Sequence, residues 1–253
     1  MELSLNNLSP KVILCAAIVL VAAIGFGGIN PYLPGGGDNA GYIAEAESLL
    51  ATGQRLNLYE IGTPPATLKP PLVPVLLAGV IAIFGRNVAA MKALLVLFAA
   101  GSVLAAWWAV RAGLTSQKDE ADDPQAGSRT AAGIAFWFAL APSLALYTHD
   151  VLSDVPFTFF VLLLIGSAGS SAKSTGSWRL LAPMLALLCL ATLTRSAGVL
   201  VGGACAVYLG LEAWRGPQTE RRRLAAFAIV LLVAVIALFA YQQQGERSYA
   251  AYM

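Results

Sequence analysis

Uninterrupted apolar runs recur along the whole chain and limit what it can fold into more than any motif does. The first, Val12 to Ile29, follows Lys11 and carries no charge over 18 residues. At about 1.5 Å per helical residue it nearly crosses a hydrocarbon core about 30 Å thick. A secretory leader has a shorter apolar region of about 7 to 15 residues, so this run reads as a first span, with a cleaved leader as the alternative. Further spans read from Val88 to Val110, Thr130 to Thr148, Val155 to about Ser170, Leu180 to Leu193, Ser196 to Trp214 and Leu224 to Tyr241. Composition agrees: 58% of the 253 residues are apolar and 12% charged, about half the charge of a soluble chain. That excludes disordered, collagen-like and coiled-coil readings. The single His149 and the scattered Cys15, Cys189 and Cys205, all three in apolar runs, give neither a metal-ligand cluster nor a disulfide framework.

Pro71 to Phe84 is apolar over only 14 residues, a length that suits a re-entrant or interfacial helix better than a crossing. Charge placement decides. If this run does not cross, Lys11, Arg111, Lys118, Arg129, Lys173, Arg179, Arg215 and Arg221 to Arg223 share one side, ten of the sixteen basic residues. The other side keeps Arg55, Lys69, Arg86, Arg195 and Arg247, with Lys92 inside a helix near that face. If it does cross, every later loop changes side and Arg221-Arg222-Arg223 is exported, against the positive-inside tendency. The expected fold is therefore all-α, a polytopic transmembrane helix bundle of about seven spans over residues 1–253, with the N-terminus cytoplasmic and the C-terminus outside. A net charge of +2 says nothing about nucleic acid in such a chain, and no nucleic-acid partner is expected. The cytoplasmic loop 112–129, with Lys118-Asp119-Glu120 and Asp122-Asp123-Pro124, reads as a flexible mixed-sign loop without chemistry. The Gly and Ser content of Ser167 to Ser177 reads as a loop between spans.

This topology leaves a large first external loop, 30–87, carrying interfacial helices, and a short second one, 148–154. Function is to be sought in them. Pro34-Gly35-Gly36-Gly37 cannot hold a regular helix, and Asp38 opens a helical run through Leu50 that Gly53 closes. Asp38, Tyr42 and Glu45 share a face of it, while Ile43, Ala46 and Leu50 form an apolar stripe on another, the pattern of a helix lying in the interface. Asp38 reads either as an N-cap or as a catalytic base at a membrane-level cavity. Thr63-Pro64-Pro65 and Lys69-Pro70-Pro71 fix backbone angles, so Thr63 to Pro71 is a stiff, largely non-helical lead into the next helix. Lys69 is then presented at a set depth, as a snorkelling cation or as the ammonium that neutralises a phosphate.

In the second loop Asp154 precedes Val155-Pro156, where a carboxylate caps a new helix. Asp150 has no such structural role, and His149 beside it reads as an interfacial polar group or a substrate contact. Arg195 splits the apolar stretch from Leu180 to Trp214 into two crossings joined by the tight turn Leu193-Thr194-Arg195-Ser196. A charge at the bilayer centre costs about 2.5 to 3.5 kcal/mol, so Arg195 sits near an interface or faces a polar cavity. There it either snorkels or grips phosphate in bidentate fashion.

Taken in order, these segments resemble a family. Asp38-Asn39-Ala40-Gly41-Tyr42 just after the first span, then Lys69-Pro70-Pro71-Leu72 before a short helix ending Phe84-Gly85, resembles the first external loop of the GT-C fold polyprenyl-phosphate-sugar glycosyltransferases. That family includes the protein mannosyltransferases and the lipid A aminoarabinose transferases. Leu152-Ser153-Asp154-Val155-Pro156-Phe157 is similar to their second-loop acidic motif, and Leu193-Thr194-Arg195-Ser196-Ala197-Gly198 to their later basic turn. The resemblance implies an inverting transfer of a sugar from a polyprenyl-phosphate carrier to a lipid, glycan or protein acceptor, outside the cytoplasm, in an integral membrane protein of the bacterial inner membrane. It implies Asp38 as the base, Lys69 and Arg195 on the carrier phosphate, Asp154 and Asp150 organising the site or a cation, and Tyr42 and His149 as substrate contacts. It requires no cofactor and leaves a divalent cation open. Family members run to eleven or more spans and an external domain, so a C-terminal portion beyond these residues is expected. Their adjacent acidic pair is here Asp38 with Asn39. The rival expectation is a non-enzymatic polytopic protein, a transporter or lipid-handling subunit, although the paired repeats and broken helices frequent in transporters are not evident in the sequence.

Overall fold

The computed structural model describes residues 9–33, 38–58, 62–66, 69–114, 126–173, 178–215 and 218–252. They form ten α-helices: α1 (Pro10–Gly27), α2 (Asp38–Thr52), α3 (Leu72–Phe84), α4 (Val88–Leu114), α5 (Ala126–Ala139), α6 (Pro142–Tyr147), α7 (Asp154–Lys173), α8 (Leu181–Thr194), α9 (Gly198–Arg215) and α10 (Gln218–Tyr252). A 3-10 turn, Trp178–Leu180, leads into α8. The helix starts follow local chemistry. Ser9 caps α1 by accepting from the Val12 amide, with Pro10 behind it, and the Asn87 side chain accepts from the Ala90 amide at the start of α4.

Among the described residues, four helical stretches are long and apolar enough to cross a membrane: Pro10–Gly27, Val88–Gly113, Asp154–Ala172 and Arg221–Tyr241. The chain is thus a helical bundle with the apolar helices of a membrane protein. The expected span from Thr130 to Thr148 is two helices. Pro142 has no amide proton to donate, and its ring excludes the carbonyl four residues back, so the helix ends at Ala139 and restarts at Pro142. Nor is Ser167 to Ser177 a loop as far as it is described: α7 runs on to Lys173, and 174–177 lie outside the described residues. Its small residues serve packing. An added Cβ at Gly166 would meet the Trp108 ring at 2.5 Å and one at Gly169 the Ala112 backbone at 3.1 Å, the close approach that small residues permit between apolar helices.

Three apolar cores hold the bundle. Ala17, Val21, Val103 and Ala135 join α1, α4 and α5. Leu164, Met184, Leu188, Leu209 and Leu231 join α7, α8, α9 and α10. The third core joins α2 and α3 to the bundle through Tyr42, Ile43, Ala46, Val73 and Leu77, which pack on Met91 and Val151. The α2–α3 layer therefore covers one end of the bundle, where α1 finishes, α4, α7 and α9 begin and α8 stops. The expected two-faced helix is corrected in one respect: Tyr42 and Glu45 on the polar face are as buried as Ile43 and Ala46, whereas Leu50 is exposed.

Candidate functional site

The layered end of the bundle gathers most of the charged residues singled out in the sequence. Asp38 is the first residue of α2, and Lys69 lies three residues before α3; their side chains meet with Nζ 2.9 Å from Oδ1. Lys69 reaches that point across the open face of Gly41, where an added Cβ would stand 2.5 Å from Nζ. Its ammonium also lies 4.9 Å from the centre of the Tyr42 ring, within cation–π range. A half-exposed pair of this kind contributes at most about 1 kcal/mol to folding, so stability gives little reason for it.

A second pair stands beside the first. Arg195 donates to the Asp154 carboxylate. Asp154 is the first residue of α7, one place inside the expected cap, because the Ser153 carbonyl already accepts from the Phe157 amide. Arg195 is extended in the turn between α8 and α9. That turn is tight because Gly198 packs on the Ala191 and Thr192 backbone, where an added Cβ would come within 2.7 Å of both residues.

Tyr42 links the two pairs. Its hydroxyl is hydrogen-bonded to Ser153, next to Asp154, and it feels the charges of Asp38, Lys69 and Arg195. Burial pushes the phenol up from 10.0, the Ser153 bond opposes this, Asp38 adds to it, and the two cations oppose it in turn. Asp38, Tyr42, Lys69, Asp154 and Arg195, drawn from four stretches of sequence, thus form one cluster. Asp154 also lines a cleft of about 140 Å³ between α6 and α7, whose walls include Phe138, Ser143, Leu144, Tyr147 and Thr158.

His149 and Asp150 lie on another flank. The imidazole packs on Gly28, so closely that a Cβ there would collide with the ring, and Asp150 is in electrostatic range of Lys92. Lys92 is only 1% exposed; its ammonium donates to Asn30 Oδ1 at 2.9 Å and to the Tyr32 carbonyl at 2.6 Å. Among the described residues, His149 Nδ1 and Asp150 Oδ1 are buried without a hydrogen-bond partner. Asn39, which follows Asp38 where the resemblance calls for a second acid, is buried, and its Oδ1 has no partner among the described residues.

Glu45 and Arg55 were not singled out for chemistry by sequence. Arg55 NH1 lies 3.4 Å from Glu45 Oε2 and donates to the Lys69 carbonyl at 3.0 Å, while NH2 donates to the Ala66 carbonyl at 2.6 Å. Burial raises the Glu45 carboxyl above 4.5, Arg55 and Lys69 oppose the rise, and Asp38 adds to it. The available signal was an acid on a helix face that must pack, seven residues after Asp38. Among the described residues no three His, Cys, Asp or Glu side chains gather to hold a metal ion. Compared with known proteins, the chain matches no described family, no curated protein and no solved structure.

Proposed function

We propose that the chain carries the site of a membrane glycosyltransferase that moves a sugar from a polyprenyl-phosphate carrier to a lipid, glycan or protein acceptor on the extracytoplasmic side of a bacterial inner membrane. The observation that carries this reading is the meeting of two carboxylates and two cations from separate motifs, with Asp38 2.9 Å from Lys69 and Tyr42 coupled to Asp38, Lys69 and Arg195. The order and residues of those motifs, which resemble the GT-C transferases, supply the reaction class.

In this reaction an acceptor hydroxyl oxygen attacks the anomeric carbon while Asp38 takes its proton. The bond from that carbon to the phosphate oxygen breaks with inversion, and the electron pair leaves on the carrier phosphate. Lys69 and Arg195 stabilise the charge that grows there. A site in which each cation rests on a carboxylate is suited to exchanging one anion for another. Asp154 orients Arg195, and Tyr42 sets the distance between the two halves. Asp150 balances the buried Lys92, and the His149 ring closes the flank against Gly28.

The seven-span topology belongs to the same proposal, with α5 and α6 sharing one crossing, α8 making a short one, and α2 and α3 lying at the interface. It draws support from charge. Lys11, Arg111, Arg129, Lys173, Arg179, Arg215 and Arg221 to Arg223 occur at the helix ends away from the Asp38 cluster, as a cytoplasmic face requires.

The test is sugar transfer from a radiolabelled polyprenyl-phosphate donor by the reconstituted full chain beside Asp38→Asn. Transfer that the substitution abolishes supports the reading. Transfer undiminished in Asp38→Asn removes Asp38 as base. Solute transport that survives the change, with no transfer by the wild type, replaces the enzyme with a transporter.

A further inference from the structure

Arg55 lies outside the reacting cluster yet touches the segment that delivers Lys69. The described stretches 55–58 and 62–66 run side by side. The Ala66 amide donates to the Arg55 carbonyl at 2.8 Å and the Asn57 amide to the Pro64 carbonyl at 2.8 Å, around an antiparallel bridge between Leu56 and Pro65. Gly62 and Thr63 lead into the second stretch with positive φ angles of 83° and 47°. Ser48 on α2 ties down the first stretch, donating to the Gln54 carbonyl at 2.9 Å and accepting from the Leu56 amide at 3.3 Å. The Arg55 side chain adds a different tether, to the carbonyls of Ala66 and Lys69.

We propose that Arg55, held by Glu45, is a positioning residue for Lys69, clamping the carbonyls of Ala66 and Lys69 so that the ammonium is presented at one place above α2. This rests on the reading of Lys69 as a phosphate grip. The chemistry calls for arginine. A planar guanidinium offers five donors in a fixed fork and can serve a carboxylate and two carbonyls at once, whereas an ammonium on a flexible stem cannot hold three acceptors in those directions. Both side chains are well covered, at 19% exposure for Arg55 and 8% for Glu45, so solvent competes little for these bonds. The exposed pair Arg86–Glu47, at 69% and 33%, makes the contrast: it joins the same helix to the far end of α3 without touching the Lys69 segment. The clamp acts on backbone just before Pro70 and Pro71, which have no amide proton to donate and lead directly into α3.

The experiment measures how fast an amine-reactive ester modifies Lys69 in the folded chain in detergent, where both faces are reached, read by mass spectrometry against Lys11 as internal reference, with thermal unfolding run alongside. In the wild type Lys69 is 29% exposed on an ion pair. Arg55→Met is expected to raise its modification at least threefold with Lys11 unchanged. Glu45→Gln, which leaves both carbonyl bonds in place, is expected to give a smaller rise and covers the case in which Arg55→Met does not fold. Glu47→Gln is expected to change nothing. Where transfer is measurable, Arg55→Lys should lower kcat/KM for the donor at least threefold, because a displaced Lys69 grips the phosphate less well as its charge grows. Unchanged Lys69 modification in a folded Arg55 or Glu45 variant overturns the proposal, as does an equal rise at Lys11. Absence of transfer by the wild type would sink the enzyme reading and leave the labelling result standing.

Discussion

Gly41→Ala separates the site from the fold more cleanly than removal of any charged residue. Gly41 lies in the first turn of α2, and its added methyl would stand 2.5 Å from Lys69 Nζ. The obstacle is the tip of a flexible side chain, so the lysine yields rather than the helix. Ordinary contact needs a retreat of about 1 Å. At an effective dielectric of about 20, holding the ammonium at about 3.9 Å rather than about 2.9 Å from the carrier phosphate loses about 1.5 kcal/mol of attraction, about tenfold in rate, and the longer distance is beyond hydrogen bonding. Transfer from a polyprenyl-phosphate donor is therefore expected to fall about ten- to hundredfold.

Stability should move the other way. Replacing a helical glycine by alanine favours the helix by about 0.8 to 1 kcal/mol, against at most about 1 kcal/mol for the weakened ion pair. The melting temperature in detergent is thus expected to hold or to rise by about 2 to 4 °C. Gly79→Ala in α3, where an added Cβ meets nothing within 4 Å, controls for the propensity change and should leave transfer intact. Full activity in Gly41→Ala, or an equal loss in Gly79→Ala, would refute the placement of Lys69 as the phosphate grip.

Three further outcomes follow from the geometry. Because burial holds the Glu45 carboxyl above its unfolded value of 4.5, the folded chain binds that proton more tightly, so this contribution to stability is complete below about pH 4.5 and is lost as pH rises through the folded value; unfolding from pH 4 to 8 should show a downward component in the wild type that Glu45→Gln lacks, and a pH-independent difference between the two would contradict it. Lys92→Met deprives Asn30 and the Tyr32 carbonyl of their donor and leaves Asp150 without its neighbouring cation, a loss of about 1 to 3 kcal/mol to be read as a lower melting temperature; an unchanged midpoint would show the ammonium to be dispensable. A cysteine at Gln54 in a cysteine-free background should react with an impermeant thiol reagent applied outside intact cells while one at Gln218 is shielded, and the opposite pattern would reverse the proposed sidedness.

The apolar helices and the stops at Gly53 and Arg195 were legible because each is written in local chemistry: an apolar run has one low-energy environment, and a glycine with a φ of 73° ends a helix wherever it stands. The break before Pro142 was equally local, but the surrounding apolar run hid it. The reading of Ser167 to Ser177 failed for the opposite reason: small residues signal a loop in water and close packing between apolar helices, and only the facing Trp108 and Ala112 decide which. Asp38, Lys69, Asp154 and Arg195 could each be singled out as charges at apolar boundaries. Their pairing could not, since it depends on α2 and α3 folding over the ends of α7 and α8. Arg55 was less legible still, because its partners are two backbone carbonyls, and every residue has one. Charged residues at a membrane boundary thus announce themselves singly, while the bonds that aim them are carried by side chains with no distinguishing pattern. The groups that set the geometry of such a site emerge only when the donors of each arginine are traced to their acceptors.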